Sequence, residues 1–188
     1  SEASSPIGRR PAPIFLSLDY IYTMKSITST KIKKRENPND VFITPLELAK
    51  KQIDMIDFKH DDVWLDPFKN TGNFYNQYPT DKKDWCEILE DKDFFEYNMH
   101  VDIICSNPPY SCIDDILKKS TQLNPRVISY LIGMGNLTAR RIEYMETHGY
   151  GLTQIHMCKV FKWYGMSFIV HFEKDKKGIM SYDRNVWR

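Results

Sequence analysis

Long hydrophobic runs are missing from this chain. No apolar segment approaches the ~20 residues that cross a bilayer, so neither a transmembrane helix nor a membrane partner is expected. Cysteine is scarce, with four residues in 188: Cys86, Cys105, Cys112 and Cys158. None form a Cys-x-x-Cys pair, and Cys86 and Cys105 fall in apolar stretches. They read as small apolar thiols of a reducing, intracellular compartment. The five histidines, His60, His100, His148, His156 and His171, lack metal-ligand spacing, so no structural zinc is expected. Charge of one sign is also missing: 26 basic residues face 25 acidic ones, for a net charge of +1. That balance neither demands nor forbids nucleic acid, because local clusters outweigh totals. The clusters are at 31–35, at Arg140-Arg141 and at 174–177. Internal repeats and low-complexity core segments are absent.

A length of 188 residues and a hydrophobic content of 41% suit one domain with a real core. Residues 1–39 differ from the rest and read as an N-terminal extension or arm. Ser, Pro and Arg dominate its first 13 positions, an apolar and aromatic stretch follows, and a basic stretch succeeds Met24. A natural start at Met24 is one expectation, with a leader or extension before it. Residues 40–188 then form the domain. Helical periodicity spans 45–56, with Thr44 as expected N-cap and Pro45 at the first helical position. Strands are expected near 63–66, 85–88, 102–106 and 127–132. Short helices are expected at 114–120 and 138–147, and an antiparallel pair at 153–157 and 166–172. The fold class is therefore α/β, with a mostly parallel sheet, an antiparallel closing hairpin and helices on both faces. The link from Gly72 to Glu87 is short, so one helix is abbreviated.

The chemistry concentrates in Asn107-Pro108-Pro109-Tyr110, directly after the apolar run Val101-Asp102-Ile103-Ile104-Cys105-Ser106. Two prolines fix φ at successive positions and remove two N–H donors. Carbonyls then project from a stiff loop without local partners. Asn107 adds a side-chain carbonyl and Tyr110 a flat apolar face. The result is an acceptor-rich slot for a planar amine.

Upstream, Val63-Trp64-Leu65 leads to Asp66-Pro67-Phe68, and a turn with Asn70 and Gly72 follows. Strand, acid, small-residue turn and helix make the architecture of a nucleotide-type cofactor site. A second short strand ends near Glu87, where a ribose hydroxyl is usually held. Asp93-Phe94 offers a carboxylate beside an aromatic face.

With these residues the chain resembles the S-adenosylmethionine-dependent amino-methyltransferases that act on adenine, from about Asp40 to Phe172. The resemblance implies a Rossmann-like class I methyltransferase sheet. It implies that the Asp66–Gly72 turn takes the methionine part of the cofactor, Glu87 the ribose, and Asp93-Phe94 the adenine. Phe42 and Thr44 match an element that the family carries ahead of its first strand. Asn107, Pro108, Pro109 and Tyr110 match the loop that binds the target amine, with DNA the expected partner. The compact form is similar to enzymes of phages and large DNA viruses.

Asn70 stands where the family has the first glycine of its turn. Asn is the non-glycine residue that best tolerates left-handed backbone, so the turn is expected to survive. No spare segment of ~80–100 residues follows the core for a target-recognition domain. Three readings stay open: an adenine methyltransferase of low specificity or aided by a partner protein, a methyltransferase of RNA or of protein glutamine, or a binding module derived from such an enzyme.

Overall fold

Alternation along the strands decides the layering. In the computed structural model, residues 43–160 and 165–184 are described. The expected arm over 1–39, the basic cluster at 31–35 and the candidate residue Phe42 lie outside the described residues.

β3 (Ile103–Ser106) is buried at all four positions, as a central parallel strand must be. Ile103 and Cys105 point to one face, where they pack with Ala49 and Ile53 of α1 (Leu46–Asp54). Ile104 points to the other, toward Ile113, Ile116 and Leu117 of α2 (Ile113–Leu123) and Ile142 and Met145 of α3 (Ala139–Thr147). β1 (Trp64–Asp66) divides likewise, with Trp64 on the α1 side and Leu65 on the other. Helices thus cover both faces.

β2 (Lys83–Trp85), β4 (Val127–Gly133), β5 (Tyr150–Cys158) and β6 (Ser167–Lys174) complete a six-stranded sheet. Its order is β2-β1-β3-β4-β6-β5. The first four strands in that order run parallel, and β6 is antiparallel to both β4 and β5. In register, Asp66 faces Trp85 and Ser106 faces Tyr130.

Several boundaries differ from the sequence expectation. The first helix starts at Leu46, with Pro45 in the cap position and no side-chain cap bond. Thr44 is not the cap because its oxygens bond elsewhere. The second strand occupies Lys83–Trp85 and stops before Glu87, which leaves the ladder to cap a 3-10 turn at Ile88–Glu90. The helix expected after Gly72 shrinks to a 3-10 turn at Tyr75–Gln77. α2 runs longer than expected and ends on Asn124, whose φ of 58° makes a left-handed C-cap. The closing strands are longer too, because the β5 ladder continues through Gly151 to Tyr150. Among the described residues, no helix is long and apolar enough to cross a membrane.

Candidate active site

β2 lies on one side of β1 and β3 on the other, so the chain reverses direction across the sheet between β1 and β3. In open α/β sheets, ligands bind outside the carboxyl ends of the strands at such a point. Asp66 ends β1 and Ser106 ends β3. The Ser106 hydroxyl donates to Asp66 Oδ1 at 2.6 Å, and the Phe68 N–H donates to the same oxygen at 3.2 Å. Asp66 is fully buried. Its Oδ2 has no hydrogen-bond partner of good geometry among the described residues, although the Tyr75 amide still favours the anion. Burial pushes the carboxyl up to about 7, against the pull of Ser106, Phe68 and Tyr75, and the Glu87 charge adds to the rise.

The turn after Asp66 keeps the expected geometry. Asn70 sits at φ 45° and Gly72 at φ 83°, both left-handed. A Cβ at Gly72 would meet Asn76 Nδ2 at 2.8 Å, a side-chain end that can move aside, so the left-handed φ is what favours glycine there. Glu87 holds this turn: its Oε2 accepts the Asn70 N–H at 3.0 Å, and its Oε1 accepts the Leu89 N–H at 3.1 Å. Asp93 accepts the Phe95 N–H at 2.9 Å and caps the 3-10 turn Phe94–Glu96. Phe94 is buried, its ring edge-on to Phe68 with centroids 5.4 Å apart.

Asn107 leaves β3 beside this turn. Its Nδ2 donates to Thr44 Oγ1 at 3.1 Å, and the Thr44 carbonyl accepts from Asn73 Nδ2 at 2.7 Å. Thr44 therefore ties Asn107 to Asn73, the residue directly after the turn. Pro108 is buried, and Pro109 is extended at φ −66° and ψ 127°. Tyr110 is half-buried, with its hydroxyl 3.5 Å from the Leu131 carbonyl. A Cβ on Gly133 would lie 3.3 Å from the Tyr110 ring, so the bare backbone at the end of β4 makes room for it.

Asp66, Pro67, Phe68, Asn70, Gly72 and Glu87 thus converge with Thr44 and Asn107. Phe94 enters the same neighbourhood as a core residue packed on Phe68, and Asp93 as a turn cap.

Four contributors were not assigned to the site by sequence reasoning, although Arg141 belongs to a basic pair already noted there. Ser106 is a lone hydroxyl closing an apolar strand, a signal that its position beside Asn107 makes readable. Asn73 follows the turn it helps to fix. Gln52, fully buried on α1, donates to the Ser106 carbonyl at 3.3 Å and to the Ser129 carbonyl at 3.1 Å. It sits on the buried face between Ala49 and Ile56 but is polar, so a search for apolar periodicity passed over it. Arg141 joins three elements: its Nε donates to Asp114 at 2.7 Å and its Nη1 to the Asn136 carbonyl at 2.8 Å.

No family model matches the chain, and no curated protein matches it in sequence. Solved structures share its fold. Precorrin-6y C5,15-methyltransferase of Geobacter metallireducens is 11% identical with a TM-score of 0.53, over 70% of this chain and 91% of that one. Magnesium protoporphyrin IX methyltransferase of Synechocystis, solved with bound S-adenosylmethionine, is 6% identical with a TM-score of 0.52, over 85% and 99%. A modification subunit of a putative type I restriction enzyme from Vibrio vulnificus is 13% identical with a TM-score of 0.52, over 87% of this chain. The match spans 51% of that subunit, about half its length. Together with the strand order, these likenesses establish a Rossmann-like class I methyltransferase fold.

Proposed function

We propose that this chain is an S-adenosylmethionine-dependent methyltransferase acting on the exocyclic amine of adenine in DNA. The observation that carries the reading is that Thr44, through its two oxygens, ties Asn107 to Asn73, the residue directly after the Asp66–Gly72 turn, at the point where the sheet reverses.

The residues present fit the cofactor. A buried carboxylate with an unused oxygen, Asp66, suits a cationic ligand. The left-handed turn at Asn70 and Gly72 supports a close backbone approach. Thr44, Pro67, Phe68 and Glu87 line the same region, and Glu87 is the acid that the resemblance assigns to the ribose. Asp93 and Phe94 stand on the flank assigned to the cofactor adenine. Bound there, S-adenosylmethionine supplies an activated methyl group on a sulfonium.

The protein's own task is to shape the acceptor. An adenine amine is a poor nucleophile because its lone pair is conjugated into the ring. The Asn107 side-chain carbonyl and the Pro108 carbonyl accept its two hydrogens, which favours a pyramidal nitrogen. The Tyr110 ring stacks on the extruded base, a contribution of about 1–3 kcal/mol. Asn107→Ala should therefore lower kcat strongly while leaving cofactor affinity nearly intact. A partner subunit that supplies target recognition belongs to the same proposal.

The test offers the protein labelled cofactor with adenine-containing DNA, adenine-free DNA, RNA and a glutamine peptide. Methyl transfer confined to adenine-containing DNA is the expected result. Equal transfer to adenine-free DNA removes adenine as the target, and transfer to the peptide alone selects the glutamine reading.

A further inference from the structure

The carboxyl edge of the sheet is electrically lopsided. On the β2 side, residues 87–93 carry four acids and one lysine. On the β4 side, α2 and α3 open next to each other with a pocket between them. Its charged lining is Lys118, Arg140, Arg141 and Arg184 against Asp114 and Glu143. Cations outnumber carboxylates there by two to one. Asp114, which both Arg140 and Arg141 reach, lies one turn beyond Tyr110 in the chain. The Asp114 end of the pocket is thus four residues from Tyr110 in the chain, and the pocket runs down between the helices.

The cations play different parts. Arg141 is mostly buried, 16% exposed, and locked to Asp114 and Asn136. Arg184 pairs with Glu143. Arg140 is 60% exposed, and its one hydrogen bond among the described residues goes to Asp114. A guanidinium has five donors, so most of those on Arg140 face solvent. Lys118 is 56% exposed and stands 3.4 Å from Asp115, an exposed pair that water screens.

We infer that this groove seats the phosphodiester backbone of the DNA that delivers the target amine. The inference rests on the methyltransferase reading above and names its substrate contact. A polyanion approaching the slot is repelled from the β2 rim and attracted to the β4 rim. Arg140 offers the planar fork that suits a phosphate, and Lys118 a mobile point charge one turn below. The amino ends of α2 and α3 add partial positive charge on the same rim.

The experiment measures DNA binding by fluorescence anisotropy across a salt series, for the parent and for Lys118→Ala/Arg140→Ala. Each phosphate neutralised contributes about 0.9 to the slope of log affinity against log salt. The double variant should lose about 1–2 from that slope and on the order of tenfold in low-salt affinity. Its KM for DNA should rise, with the heat of S-adenosylmethionine binding and the melting temperature unchanged. A control pair far from the groove, Lys50→Ala/Lys82→Ala, should leave the slope alone. Methyl transfer with an unchanged slope in the groove variant overturns the groove and spares the enzyme. Groove-dependent DNA binding with no cofactor heat supports the groove and overturns the methyltransferase reading.

Discussion

At Asn70 the backbone turns left-handed, φ 45°, in the stretch that the candidate cofactor must approach. Glycine reaches that geometry without steric cost, and Asn reaches it at a small one. Asn70→Gly should therefore keep or improve affinity for S-adenosylmethionine in calorimetry. A large loss would show that the Asn70 side chain itself makes a needed contact. Glu87 differs because its carboxylate holds the turn through the Asn70 N–H. Glu87→Ala removes a charge-assisted hydrogen bond, about 1.5–3 kcal/mol, and frees the turn as well. Its expected signature is a joint loss of cofactor affinity and melting temperature, with Glu87→Gln losing less of both.

Among the elements, α1 couples to the sheet through a buried amide as well as apolar packing. Gln52 Nε2 reaches the end of β3 through Ser106 and the interior of β4 through Ser129. Gln52→Leu keeps the volume and deletes the donor. It should cost about 1–3 kcal/mol in urea unfolding, because buried acceptors lose their partner. An unchanged midpoint would mean that those carbonyls are satisfied by the ladder alone. Gln52 also marks where legibility in the sequence ended. Central strands such as β3 and β4 were readable because they are buried on both faces and rich in Ile and Val. β2 was placed two residues late, since the apolar Trp85-Cys86 pair outweighed the polar Lys83-Asp84 that forms the ladder. The Asp66 turn, Glu87 and Asn107 were readable from order and spacing. Thr44 was expected as a helix cap, but its oxygens serve residues far along the chain, and no local pattern records such a partner.

For the whole molecule, two buried groups titrate in opposite senses. Asp66 carries a pKa of about 7 in the fold against an ordinary 3.8. The folded state keeps a proton that the unfolded chain releases, so this stabilisation is full below 3.8 and lost as pH rises through 7. His171 is pushed the other way, to about 4 from 6.5, by burial, with Glu173 opposing. Its Nε2 has no hydrogen-bond partner among the described residues. Here stability is present above 6.5 and lost as pH falls through 4. Each group contributes a slope of about 1.4 kcal/mol per pH unit. Over the shared window the slopes cancel, and the ligand-free parent should show nearly flat stability. Asp66→Asn keeps an acceptor for Ser106 and removes one slope, so its stability should climb with pH from 4 to 6.5. His171→Leu should decline over the same range. Urea unfolding across that window checks all three proteins. A steep parent profile that neither variant alters would refute the compensation.

Thr44 bonds to partners 29 and 63 residues away. Contacts of such span form only after long loops have closed, and loop closure is what slows folding. The candidate site is therefore assembled late on the folding route. A chain without that junction holds the halves of the site unjoined, and ligand binding reports a finished fold.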